Sequence, residues 1–131
     1  MNTFLLVCTG GALGSGLRYL VDHGTTQWAL REHASTFPWG TLLVNVVGSF
    51  LLAFLLTART GTGDGLPSAW RFGLGTGVLG GFTTYSTFNY ETLFYLQHGK
   101  LVLAAGNIAL TLISCLLAGL AGVMLARTVL P

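Results

Sequence analysis

The sequence predicts an all-α membrane protein of four transmembrane helices, and three observations carry that prediction. Only 8% of its 131 residues are charged, against about 25% in a soluble domain, while 52% are hydrophobic. The charges at Arg18, Asp22, Arg31, Glu32, Arg59, Asp64, Arg71, Glu91, Lys100 and Arg127 leave four nearly charge-free blocks between them. These are Met1 to Leu17, Ala34 to Ala58, Phe72 to Tyr90 and Leu101 to Ala126, each about the length of one crossing helix. The segments between the blocks are short and carry turn and breaker residues: Asp22-His23-Gly24, Arg59 to Pro67, and Gln97-His98-Gly99-Lys100.

The first helix is expected over 2–21. It lacks the basic n-region and small-residue cleavage site of a signal peptide, so it is retained as a mature helix. Gly10, Gly11, Gly14 and Gly16, with Ala12 and Ser15, give the small-residue spacing that lets helix backbones approach. The second helix, over 36–58, holds one strongly polar residue, Asn45, within Gly40-Thr41-Leu42-Leu43-Val44-Asn45-Val46-Val47-Gly48-Ser49.

The third helix, over 70–95, is the most informative element. Its centre reads Gly80-Gly81-Phe82-Thr83-Thr84-Tyr85-Ser86-Thr87-Phe88, two glycines and a cluster of hydroxyls where a plain anchor would place Leu and Val. In lipid, irregular backbone and concentrated polar groups survive only where they face protein or a water-filled pathway. The third helix is therefore expected to break at its centre, between Gly80 and Thr84, and to hold a transport site. The fourth helix, over 100–126, carries a second small-residue stripe, Gly106, Ala109, Ser114, Ala118, Gly119 and Gly122. Asn107 and Thr111 stack on one face of it. Both stripes suit packing within the chain or between chains. Residues 1–131 read as a single four-helix domain with no convincing internal repeat.

Several function classes fall away. Strand alternation is absent, which argues against an outer-membrane barrel. The net charge of +2 is small and dispersed, so there is no nucleic-acid footprint. Cys8 and Cys115 lie inside apolar blocks as packing or lipid-facing residues, without metal spacing. Gly75-Thr76-Gly77-Val78-Leu79-Gly80 fits a dinucleotide-binding pattern that has meaning only after a strand in a βαβ unit. His23, His33 and His98 lie in or next to loops without nucleophile or metal partners, so no enzymatic constellation appears.

Basic residues flanking membrane helices concentrate on the cytoplasmic side. Four crossings put Arg18, Arg31 and Lys100 on one face and Arg59, Arg71 and Arg127 on the other, three against three. Either so few charges balance by accident, or the chain inserts both ways and pairs as an antiparallel homodimer. Its small size favours a second subunit, since one chain has little interior for a pathway.

Asn45 must face protein or a pathway, because an unpartnered amide in a bilayer is costly. It serves either as a helix-to-helix hydrogen bond or, with Ser86, Thr87, Asn107 and Thr111, as a donor along one route. Tyr85 and Phe88 share a helix face. They are either core filler or a pair of electropositive ring edges that hold a small anion without a lysine or arginine, weakly enough to release it. A broken segment at Gly80 to Thr84 would also expose carbonyl oxygens, which ligate alkali cations in membrane helices. A small dual-topology multidrug/proton antiporter shares this size and helix count. It needs a membrane-embedded carboxylate, and only Glu91, at the end of the third span, approaches that. A non-transporting scaffold would explain the glycines but not the central polar cluster.

Pro38-Trp39-Gly40-Thr41-Leu42-Leu43-Val44-Asn45 and Gly80 to Glu91, with the early Gly-rich helix ending in Leu17-Arg18-Tyr19, closely resemble the Fluc (CrcB) fluoride channels over essentially the whole chain. The resemblance implies a multi-pass protein of the inner (plasma) membrane that exports fluoride passively as an antiparallel, dual-topology homodimer. It further implies a structural sodium ion on the dimer axis, held by the Gly80 and Thr83 carbonyls of both subunits. It maps the pore asparagine to Asn45, the pore aromatics to Tyr85 and Phe88, and a hydroxyl track to Ser86, Thr87 and Thr111. Arg18 is placed near an aqueous vestibule. The family usually has Phe where this chain has Tyr85; the tyrosine keeps a ring edge and adds a hydroxyl that donates to fluoride or narrows the route.

Overall fold

The computed structural model describes residues 2–33, 35–58 and 67–130, and all regular structure among them is helical. α1 runs Thr3–His33 and α2 Trp39–Thr57. The third crossing is assembled from pieces: α3 (Ser68–Trp70), a π-helical stretch Arg71–Leu79, α4 (Gly80–Phe82), and then α5 (Tyr85–Gln97). α6 runs Leu101–Val129. Three of these helices (α1, α2 and α6) are each long and apolar enough to cross a membrane.

The turn expected at Asp22-His23-Gly24 does not form. α1 continues through those residues to His33, a rod of about 46 Å at 1.5 Å per residue. One glycine inside a helix costs only about 1 kcal/mol, and no proline follows until Pro38. Downstream, Ala29 is buried, and its carbonyl accepts the Ser35 amide at 3.1 Å where α1 ends. The chain instead reverses ahead of α2, where Pro38 stands at the N-terminus, a position that needs no proline N–H. Arg18 therefore belongs to the interior of α1 and not to a loop. The expected second turn falls at 59–66, outside the described residues. The third forms as expected: Gly99 adopts φ 69°, the left-handed conformation that ends helices at glycine, and the Lys100 amide returns to the Tyr95 carbonyl at 2.8 Å.

α1 lies against the π-helical stretch and α4, α2 against α6, and α5 against α6. Glycines make the closest approaches. A Cβ on Gly10 would meet the Gly73 carbonyl at 2.6 Å, one on Gly14 would collide with the Val78 carbonyl, and one on Gly122 with the Phe50 carbonyl. By contrast, Gly16 and Gly106 face open space within this chain. The exterior is strongly apolar, with residues such as Leu13, Leu116 and Met124 exposed, while Thr41, Asn45, Thr84, Thr92, Asn107 and Thr111 are buried. That inversion suits a lipid surround, in which polar groups must find partners inside the protein.

Candidate functional site

The third crossing stops being helical at two residues. Thr83 (φ −80°, ψ 157°) and Thr84 (φ −152°, ψ 116°) are extended, and the chain re-enters a helix at Tyr85. In a continuous α-helix the Thr84 N–H would bond the Gly80 carbonyl. Here it donates to Asn45 Oδ1 at 2.8 Å, and Asn45 Nδ2 donates to the Thr84 carbonyl at 3.0 Å. The side-chain amide of α2 thus takes the place of a peptide group in both directions. Only one of its two amide protons is used in this way.

The Thr87 N–H would likewise bond the Thr83 carbonyl, but it donates to Thr84 Oγ1 at 3.3 Å, making Thr84 the N-cap of α5. The carbonyls of Gly80 and Thr83 are therefore released from α-helical pairing. Arg18 Nη1 reaches the Thr83 carbonyl at 3.4 Å, while Gly80 is exposed. Gly48 makes room for the break, since a Cβ there would overlap Thr83 Cγ2.

Around the break lies a cavity of about 380 Å³, lined by Asn45, Gly48, Ser49, Thr83, Thr84, Tyr85, Phe88, Thr111 and Cys115 among others. Among the described residues no charged side chain lines it. The rings of Tyr85 and Phe88 meet at 5.7 Å between centroids, tilted by 52°. Phe88 is buried and Tyr85 is 74% exposed. Thr111 lines the same cavity, and its Oγ1 is buried without a hydrogen-bond partner.

Ser86 and Thr87 do not line this cavity. They gather behind it on Thr84 Oγ1, at 3.3 Å and 3.0 Å. Thr87 and Arg18 line a second, smaller cavity of about 250 Å³ together with Ser15, Asp22, Thr41 and Thr84. Thr84 is the polar wall common to both cavities. Asn107, placed on the route by its spacing from Thr111, is a correction. It is fully buried and donates to Thr92 Oγ1 at 2.9 Å, in the seam between α5 and α6.

Sequence reasoning passed over Thr41, Thr84 and the position of Glu91. Thr41 Oγ1 donates to Glu91 Oε1 at 2.7 Å, and Glu91 Oε2 is buried with no partner. Glu91 also borders a cavity of about 490 Å³ that reaches Tyr95 and Lys100. Thr41 precedes Asn45 by one turn on the same face of α2, and Thr84 stands three residues before Thr87, the N-cap spacing; both signals were present. Among the described residues no three His, Cys, Asp or Glu side chains gather to hold a metal.

Polar groups collected around a break in one helix, inside a bundle with an apolar exterior, define a small multi-pass membrane transport protein. Residues 5–123 match the family described as "CrcB-like protein, Camphor Resistance (CrcB)", and the chain belongs to that family. It is 52% identical over 127 residues, 97% of each chain, to a protein of Anaeromyxobacter sp. (strain K) named "Fluoride-specific ion channel FluC". Relatives carrying the same name in Sorangium cellulosum (strain So ce56) and Rhizobium meliloti (strain 1021) are 42% and 44% identical over 127 residues, 97% of this chain and 96% and 98% of theirs.

Proposed function

We propose that this chain is a fluoride-selective channel that lets cytoplasmic fluoride leave passively across the plasma membrane. The observation that carries the proposal is the cavity at the break, lined among the described residues by Asn45, Thr111, Tyr85 and Phe88 and by no charged side chain, with one Asn45 amide proton unused and the Thr111 hydroxyl without a partner. Fluoride is small and a strong hydrogen-bond acceptor, so it needs donors wherever it sheds water. Neutral donors and ring edges hold it without the deep trap that a lysine or arginine would make. The names of the relatives support the same ion.

The proposal includes an antiparallel homodimer. Tyr85 stands exposed at the mouth of the cavity in one chain, and a second copy would cover it and complete the wall. It also includes a structural sodium ion on the two-fold axis. The break denies the Gly80 and Thr83 carbonyls their helical N–H partners; the Thr83 carbonyl accepts from Arg18 at a long 3.4 Å and keeps a second lone pair, and a hard cation takes oxygen ligands. Bound there, sodium would supply fixed positive charge that satisfies these oxygens, while Asn45 and Thr84 hold the backbone open around them.

The test is purified protein in liposomes with fluoride and chloride measured side by side. Electrogenic fluoride efflux with little chloride efflux is expected. Equal passage of both anions, or proton-coupled efflux of an organic cation with no fluoride current, would overturn the proposal.

A further inference from the structure

We propose that Asn107 is a positioning residue that sets Phe88 against Thr111 across the cavity; this rests on the channel function proposed above. The observation is a relay of two buried hydrogen bonds. Asn107 Nδ2 donates to Thr92 Oγ1 at 2.9 Å, and Thr92 Oγ1 donates to the Phe88 carbonyl at 2.8 Å. All three residues are buried. Asn107 does not line the cavity, and its side-chain amide is spent on Thr92, so it acts on the pathway through what it holds.

The relay has a mechanical consequence. A threonine hydroxyl that bonds the carbonyl four residues back competes for that oxygen and bends the helix locally. In α5 such a bend would fall on the turn between Phe88 and Thr92. The Asn107 amide fixes the threonine rotamer that makes this bond, because the hydroxyl oxygen is drawn toward α6 while its proton stays on the Phe88 carbonyl. Thr111 lies one turn beyond Asn107 on the same face of α6, where its unpartnered hydroxyl lines the cavity with Phe88. One interhelical bond therefore ties the Phe88 ring to the Thr111 donor. Two helices in lipid gain nothing from hydrophobic burial against each other, so buried polar bonds of this kind set their register.

The test places 4-fluorophenylalanine at position 88 of the full chain and follows its ¹⁹F resonance together with fluoride and chloride efflux. Asn107→Leu keeps volume and removes the donor, Thr92→Val removes the hydroxyl at constant shape, and Thr92→Ser keeps the hydroxyl. The first two variants are expected to shift or broaden the resonance and to lower fluoride efflux about tenfold, the size of one lost buried bond. Discrimination against chloride should weaken with them, and Thr92→Ser should restore the parent behaviour. A parent-like resonance in both Asn107→Leu and Thr92→Val would overturn the proposal, as would reduced efflux with an unmoved resonance. If Asn107→Leu does not fold, the Thr92→Val and Thr92→Ser pair decides. A parent that carries no fluoride would defeat the channel function, while the resonance would still decide whether Asn107 governs Phe88.

Discussion

Asn45 holds the backbone of the break with one amide proton and its carbonyl oxygen, and its second amide proton takes no part in these bonds. Asn45→Asp keeps an acceptor for the Thr84 N–H but sets a second oxygen against the Thr84 carbonyl. It also puts a fixed negative charge in a low-dielectric path. The variant is expected to lose fluoride efflux and about 1–3 kcal/mol of stability, the cost of breaking a buried hydrogen bond. Denaturant unfolding in detergent and liposome flux check the two effects separately, and undiminished efflux would remove Asn45 from the path. Phe88→Ile keeps apolar bulk and removes the electropositive ring edge, so throughput should fall sharply with folding preserved. Tyr85→Phe alters a ring that is largely exposed in one chain, and efflux equal to or faster than the parent is expected. Parent-like conduction in both would reduce the aromatic pair to packing.

At the scale of the helices, close backbone approach is the organising force, and the glycines separate into two groups that a matched pair of substitutions distinguishes. Gly14→Ala drives a methyl into the Val78 carbonyl of the π-helical stretch. Overpacking of that kind costs typically about 1–3 kcal/mol, and rigid backbone on both sides leaves no flexible side chain to yield. Gly16→Ala meets nothing within 4 Å in its own chain and should be neutral or slightly stabilising, since alanine is the better helix former. The midpoint of thermal unfolding in detergent measures both. A cost at Gly16 equal to that at Gly14 would mean that a second chain packs there. Gly48→Ala belongs with Gly14: its methyl meets Thr83 at the break, so efflux should fall along with stability.

For the whole molecule, the predictions concern the proposed pairing of two chains and the proposed sodium ion. With so few charges to set orientation, reporters fused to the carboxyl terminus, one active only inside and one only outside, should both give signal. Two added lysines near either end should bias the result. A single-sided signal from the native sequence would sink the antiparallel arrangement. Replacing sodium by a large organic cation should lower fluoride flux and dimer stability without moving the reversal potential, because the proposed ion is structural and would not cross. Full flux and an unchanged dimer after exhaustive sodium removal would mean that the Gly80 and Thr83 carbonyls are satisfied in another way.

The helical class, the four apolar blocks and the turn at Gly99 were legible in the sequence because each depends on residues close together along the chain. Of the route expected from lone polar groups, Asn45 and Thr111 line one cavity with Tyr85 and Phe88, while Ser86, Thr87 and Asn107 do not line it. The end of α1 was not legible. Asp22-His23-Gly24 has the composition of a turn, and only packing downstream, as at Ala29, keeps those residues helical. Nor could local pattern say which partner each buried polar group would choose. Asn45 and Thr84 are 39 positions apart, Thr41 and Glu91 are 50 apart, and Asn107 and Thr92 are 15 apart. Periodicity states that a side chain must be turned away from lipid. Which atom meets it there depends on how helices distant in sequence settle against one another, and glycines at positions such as Gly14 and Gly48 decide how closely they do so.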